Sequence, residues 1–102
     1  MKMLTQYEKQ QILARHITSA NGRPREMLEV MQEAYPTPIS KAYICHQLSM
    51  SGEYAFRSVL RNAGIFIDIE VINEPDKPTM YRLGSQCIQS AQIRIILQTM
   101  AN

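Results

Sequence analysis

The sequence predicts an α+β chain, mainly α, and three observations carry that prediction. Apolar residues recur with helical spacing through residues 6–63, the period drops to 2 over 65–71, and a helical pattern returns from residue 86 onward. Capping residues and chain breakers fall between these segments, where changes of element require them.

The first helix is expected over 6–18. Thr5 followed by Glu8 has the form of a capping box, and Leu4, Ile12, Leu13 and Ile17 supply an apolar stripe, which "SANG" then stops. A second helix is expected from near Pro24, a residue suited to a first helical turn, with Met27, Leu28, Val30, Met31 and Ala34 on its buried side. "YPTP" ends it, because a residue before proline is driven out of the helical region. Ser40 caps a third helix to about Leu48, whose apolar positions are Ala42, Ile44, Cys45 and Leu48.

After the three-residue break "SMS", Ser51 is expected to cap a fourth helix over 52–63, and Gly64 to close it in the left-handed conformation. Two helices so joined fit a helix-turn-helix unit. Ile65, Ile67, Ile69 and Val71 then alternate with Phe66, Asp68 and Glu70, as a strand with one face on a core does. "NEPDKP" is a turn and "TMYRL" a returning strand, so a hairpin follows. The last helix spans 86–100, with Ile88, Ala91, Ile93, Ile95, Ile96, Leu97 and Met100 spread over a surface too wide for a solvated helix.

Composition bounds the function. The length and a 45% hydrophobic content suit one domain with one core, and a net charge of +2 does not by itself announce a nucleic-acid partner. Cys45 and Cys87 lack metal-ligand spacing, and neither His16 nor His46 has a carboxylate or cysteine at ligand spacing, so neither a metal, a cofactor nor a catalytic role is expected. Ser40, Ser49 and Ser51 are explained as caps and turn residues. Charges at Lys2, Glu8, Lys9 and Arg15 do not fit a secretory signal, and no apolar run is long enough for a membrane span, so a cytoplasmic protein is expected.

The fourth helix has two contrasting faces. With Phe56, Val59, Leu60 and Ala63 turned inward, Tyr54, Arg57, Ser58 and Arg61 share the outer face, where two arginines one turn apart repel by a few tenths of a kcal/mol, roughly. The plainer account is a solvated side on which Glu53 and Arg57 pair at i, i+4.

Together with this order of elements, "PISKAYICHQLSMSGEYAFRSVLRNAGIFIDIEVI" and "TMYRLG" resemble the winged-helix DNA-binding domains of bacterial transcriptional regulators, the most telling part being "LRNAGIF". The resemblance covers residues 24–84 and implies three parts: an N-terminal helix over 1–22, a winged helix-turn-helix domain over 23–84, and a C-terminal helix over 85–102. It also implies that helix 52–63 enters a major groove and that turn 73–78 is the wing. Arg57 or Arg61 would then reach guanine, Ser58 a phosphate or base edge, Tyr54 a phosphate, and the amides after Ser51 a phosphate oxygen. Lys41, Arg23, Arg25 and Lys77 complete the expected DNA-contacting set.

The charge distribution leaves two readings open. Residues 1–25 carry a net +4, whereas 65–83 carry a net −2, so either only Lys77 of the wing touches a backbone or the wing faces a protein. Arg23 and Arg25 have their own alternative partners in Glu26 and Glu29. The wide apolar surface of the last helix either closes the chain's own core or, as favoured here, forms a homodimer through Ile88, Ile93, Ile96, Leu97 and Met100. The leading expectation is therefore a small bacterial or phage-type regulator that occupies an operator in double-stranded DNA, without an effector domain. The rival is a winged-helix module that binds a protein instead.

Overall fold

The computed structural model describes residues 3–101; Met1, Lys2 and Asn102 lie outside the described residues, and with them the charge expected of Lys2. The described chain is α+β and mainly helical. Its order is α1 (Gln6–Ile17), α2 (Gly22–Ala34), β1 (Ile39–Ser40), α3 (Lys41–Gln47), α4 (Glu53–Ala63), β2 (Ile69–Ile72), β3 (Met80–Leu83) and α5 (Gln86–Ala101).

Local signals account for most helix starts. Thr5 Oγ1 accepts from the Glu8 amide and Glu8 Oε1 accepts from the Thr5 amide, both at 3.1 Å, which satisfies two donors that α1 would otherwise leave open. Leu13 and Ile17 of α1 are buried against Met27, Leu28 and Met31 of α2. The same pair of helices is tied at its edge by reciprocal amides: Gln10 donates to the Gln32 carbonyl at 3.1 Å and Gln32 donates to the Gln10 carbonyl at 3.3 Å. α2 begins at Gly22, two residues before Pro24, and ends ahead of a cis Tyr35–Pro36 bond. Ser40 Oγ caps α3 by accepting from the Tyr43 amide.

Two expectations about the α3–α4 connection are corrected. The break runs over five residues, 48–52, and α4 is capped by Gly52 at φ 96°, with no side-chain capping bond from Ser51. Gly52 takes the position because the chain must turn through a positive φ there, which a serine would adopt only under strain. Gly64 does not close α4 in a left-handed turn either. It stays right-handed at φ −64°, and the chain continues in two tight turns, Ile65 donating to the Asn62 carbonyl and Phe66 to the Ala63 carbonyl.

Those turns shorten the expected strand. Their backbone donors are already used, so pairing starts only at Ile69, and Ile65 is left 75% exposed while Ile67 drops into the core. Val71, expected inward, is exposed, and Ala42 of α3 is too. The sheet is antiparallel with order β1-β3-β2; β2 meets β3 at Ile69↔Leu83, Glu70↔Arg82, Val71↔Tyr81 and Ile72↔Met80. β1, which the sequence pattern did not announce, pairs Ile39 with Tyr81 and Ser40 with Met80. It fixes the start of α3 against the hairpin.

The core lies where α1, α2 and α4 meet the inner face of the sheet, with Phe56, Leu13, Met27, Leu28, Met31, Ile44 and Leu83 fully buried. Each such side chain contributes about 1.5–3 kcal/mol through the apolar surface it removes from water. The Phe56 ring meets Tyr81 edge-on, with centroids 5.4 Å apart, which joins α4 to β3. α5 packs on α1, where Gln92 accepts from the Leu4 amide at 3.0 Å. Ile88 belongs to this core at 7% exposure, which corrects its expected place at an interface between chains. Among the described residues, no helix is long and apolar enough to cross a membrane.

Candidate nucleic-acid interface

The outer side of α4 follows from its inner side. Because Phe56 and Ala63 are buried and Val59 and Leu60 pack on the core, helical geometry turns Tyr54, Arg57 and Arg61 to solvent. Tyr54 is 85% exposed, and Ser58 is half-buried beside this strip. Arg61 has no ion-pair partner among the described residues, so its guanidinium donors are open to water. Ser51 is exposed just ahead of Gly52, and the first-turn amides of α4 follow it.

Lys41 joins this strip through a shared acid. Glu53, the first residue of α4, pairs with Lys41 at the start of α3 and accepts from Arg57 Nε at 3.0 Å. The Lys41 ammonium also lies 5.4 Å from the centroid of the Phe56 ring, a cation–π contact. Lys41 and Glu53 face a cleft of about 530 Å³ whose other wall is Pro78, Thr79 and Tyr81 of the hairpin. The beginning of α4 and the end of the hairpin turn thus border one depression.

The remaining predicted contacts are engaged within the chain. Arg23 pairs with Glu26 at 3.1 Å and donates to the Leu48 carbonyl at the end of α3; Arg25 lies 3.8 Å from Glu29, and Lys77 lies 3.0 Å from Glu74. The i, i+4 pairing of Glu53 with Arg57, anticipated as the plainer account of α4, is also present. The isolated pairs Arg23–Glu26, Arg25–Glu29 and Lys77–Glu74 are each worth about 0–1 kcal/mol, so a phosphate can displace the carboxylate from any of these three. The Glu70–Arg82 pair differs in being less exposed and in sitting across the β2–β3 register, where it clamps the base of the hairpin.

A second hollow, of about 400 Å³, gathers His16, Asp68 and Cys87 near Gly64 and Ser90. Burial pushes the Cys87 thiol above its ordinary value and the Asp68 carboxylate adds to the effect, so at neutral pH the sulfur stays protonated. His16 Nδ1 is 3.0 Å from the Ile12 carbonyl of its own helix. Among the described residues, no three His, Cys, Asp or Glu side chains are grouped as a metal would need.

Sequence reasoning placed the α4 strip but missed that Glu53 also holds Lys41. The i, i+4 signal exists only for Arg57; Lys41 reaches Glu53 across the α3–α4 connection, whose path depends on two positive-φ residues, Ser49 and Gly52. No protein-family model matches the chain, and no curated protein or solved structure matches it significantly.

Proposed function

We propose that this chain is a sequence-specific regulator of the winged helix-turn-helix type that acts in the cytoplasm by occupying an operator in double-stranded DNA. In this reading α4 lies in the major groove and the 73–78 turn is the wing. The observation that carries it is the outward strip of α4, where Tyr54, Arg57 and the unpaired Arg61 lie along one exposed face of a helix anchored from behind by Phe56. Arginine forks on such a face match guanine O6 and N7, and the tyrosine hydroxyl and first-turn amides suit phosphate oxygens. Lys41, Arg23, Arg25 and Lys77 supply backbone contacts by exchanging their carboxylate partners for phosphates. The regulator acts as a two-fold dimer joined through α5, on inverted half-sites about 10 base pairs, or a multiple of that, apart.

The second reading, a protein-binding module, draws on the pairing of charges. Every cation in the proposed set except Arg61 already has an acid beside it, and the wing itself is acidic.

Fluorescence anisotropy on a labelled random duplex distinguishes the two. DNA binding through about 5 phosphate contacts gives a log K that falls against log salt with a slope near −4 to −5. On a site selected from randomised duplexes, Arg61→Ala costs about 1–3 kcal/mol and relaxes one base preference, while Arg25→Ala weakens all sequences alike. A folded chain with no affinity for duplex at low salt rejects the regulator and leaves the protein-binding module.

A further inference from the structure

The placement of Glu53 is at odds with a surface made only for phosphates. It is the first residue of α4, its side chain is about half exposed, and it borders the cleft between α4 and the hairpin. A carboxylate there opposes every approaching phosphate. It also occupies the charges of Lys41 and Arg57, which come to it from two different helices. Helix capping does not explain this arrangement, because the cap is Gly52 and the carboxylate is turned to the two cations.

We propose that Glu53 is a specificity-determining residue of the α4 face, a clamp that holds Lys41 and Arg57 until its carboxylate accepts a hydrogen bond from a cytosine N4 amino group. The inference rests on the DNA-binding reading above and names how that site discriminates. On an arbitrary sequence the carboxylate has no donor from the bases, keeps its two cations and repels the backbone, so binding is weak. Opposite a correctly placed cytosine, the N4 amino group offers a donor in the major groove, which is the pairing that Glu and Asp favour. The carboxylate then turns toward the base and gives up its hold on the cations. Lys41 is freed for a phosphate and Arg57 for a phosphate or a neighbouring guanine. The Phe56 ring under the Lys41 ammonium keeps the lysine close to the cleft during this exchange.

Glu53→Gln and Glu53→Ala test the clamp, since an exposed side chain at the first position of α4 is replaceable without loss of the core, as a thermal melt by circular dichroism will verify. Both variants are compared with the wild-type chain on a random duplex and on pools selected from randomised duplexes. The expected result is a several-fold gain in affinity for random duplex, a salt dependence steeper by about 1–2 in slope as cations are released to phosphates, and loss of a cytosine preference of roughly tenfold at one position. Glu53→Gln should in addition move that preference toward adenine, the base a glutamine amide matches. If the wild-type chain binds duplex and both variants keep all its base preferences, whatever their affinity for random duplex, the inference is overturned while the DNA-binding reading stands. If the wild-type chain binds no duplex, both are overturned together.

Discussion

Asp68 and Gly84 occupy space that admits only one arrangement of the two. A Cβ added at Gly84 would lie 1.6 Å from Asp68 Oδ2 and 2.9 Å from Oδ1, and the Gly84 amide donates to the Asp68 carbonyl at 2.7 Å. The carboxylate therefore rests directly on the glycine backbone where β3 passes into α5. Gly84→Ala should destabilise the chain by about 1–3 kcal/mol, the usual cost of overpacking. Most of that loss should disappear in an Asp68→Ala background, giving a coupling of about 0.5–3 kcal/mol in a urea-denaturation double-mutant cycle. An equal loss in both backgrounds would show that the backbone, and not the carboxylate, resists the methyl group. The same residue pair explains why Gly84 is needed although the sequence offers no turn signal for it.

The two ends of α4 make opposite demands on glycine. Gly52 sits at φ 96° with open space around its Cα, so its requirement is conformational and not steric; Gly64 is right-handed, and a Cβ there would make ordinary 3.5 Å contacts with the carbonyl oxygens of Leu60 and Arg61. Gly52→Ala should cost about 1–3 kcal/mol through backbone strain. Gly64→Ala should instead stabilise by about 0.4–1 kcal/mol, because alanine narrows the unfolded ensemble without straining the native one. Thermal unfolding of the two variants decides it, and a destabilising Gly64→Ala would contradict the right-handed end of α4. Helix α5 shows a comparable division along its sides. Ile88 is buried and Ala91, Ile95 and Ile96 are half-buried, whereas Ile93, Leu97 and Met100 are exposed at 57%, 60% and 77%.

The molecule is elongated, measuring 53 × 33 × 19 Å, with a radius of gyration of 15.2 Å where a compact chain of this length has about 13 Å. An apolar row at i, i+4 and i+7 on α5, in a helix whose only charged residue is Arg94, is self-complementary under a two-fold axis. That is the basis for a second copy as its occupant. Leu97→Glu with Met100→Glu should give a folded monomer, since neither side chain contributes to the buried core, and affinity for a full inverted site should fall toward that for a half-site. Sedimentation at concentrations on the order of tens of micromolar, where weak apolar interfaces form, is the check. A wild-type chain that sediments there as a monomer rejects the dimer.

The helices were legible in the sequence because their causes are local. The Thr5–Glu8 box, the Ser40 cap and the prolines after α2 act within one turn of the residues they govern, and the inner face of α4 follows from spacing alone. So does its outward strip of Tyr54, Arg57 and Arg61. What packing decided could not be read that way. Residues 65–71 alternate like a strand, yet the Ile65 and Phe66 amides are taken by turns that continue from α4; Ile39 and Ser40 are too few to show a period, yet they pair with β3. Ile88 and Leu97 are both apolar, and only the packing of α5 on the rest of the chain makes one a core residue and leaves the other in water. The Lys41–Glu53 pair arises in the same way, from a connection whose two positive-φ residues bring the starts of α3 and α4 together. Periodicity and capping specify an element within a few residues, but which face is covered and which charge finds a partner depends on contacts between segments distant in sequence, and those exist only once the chain has packed.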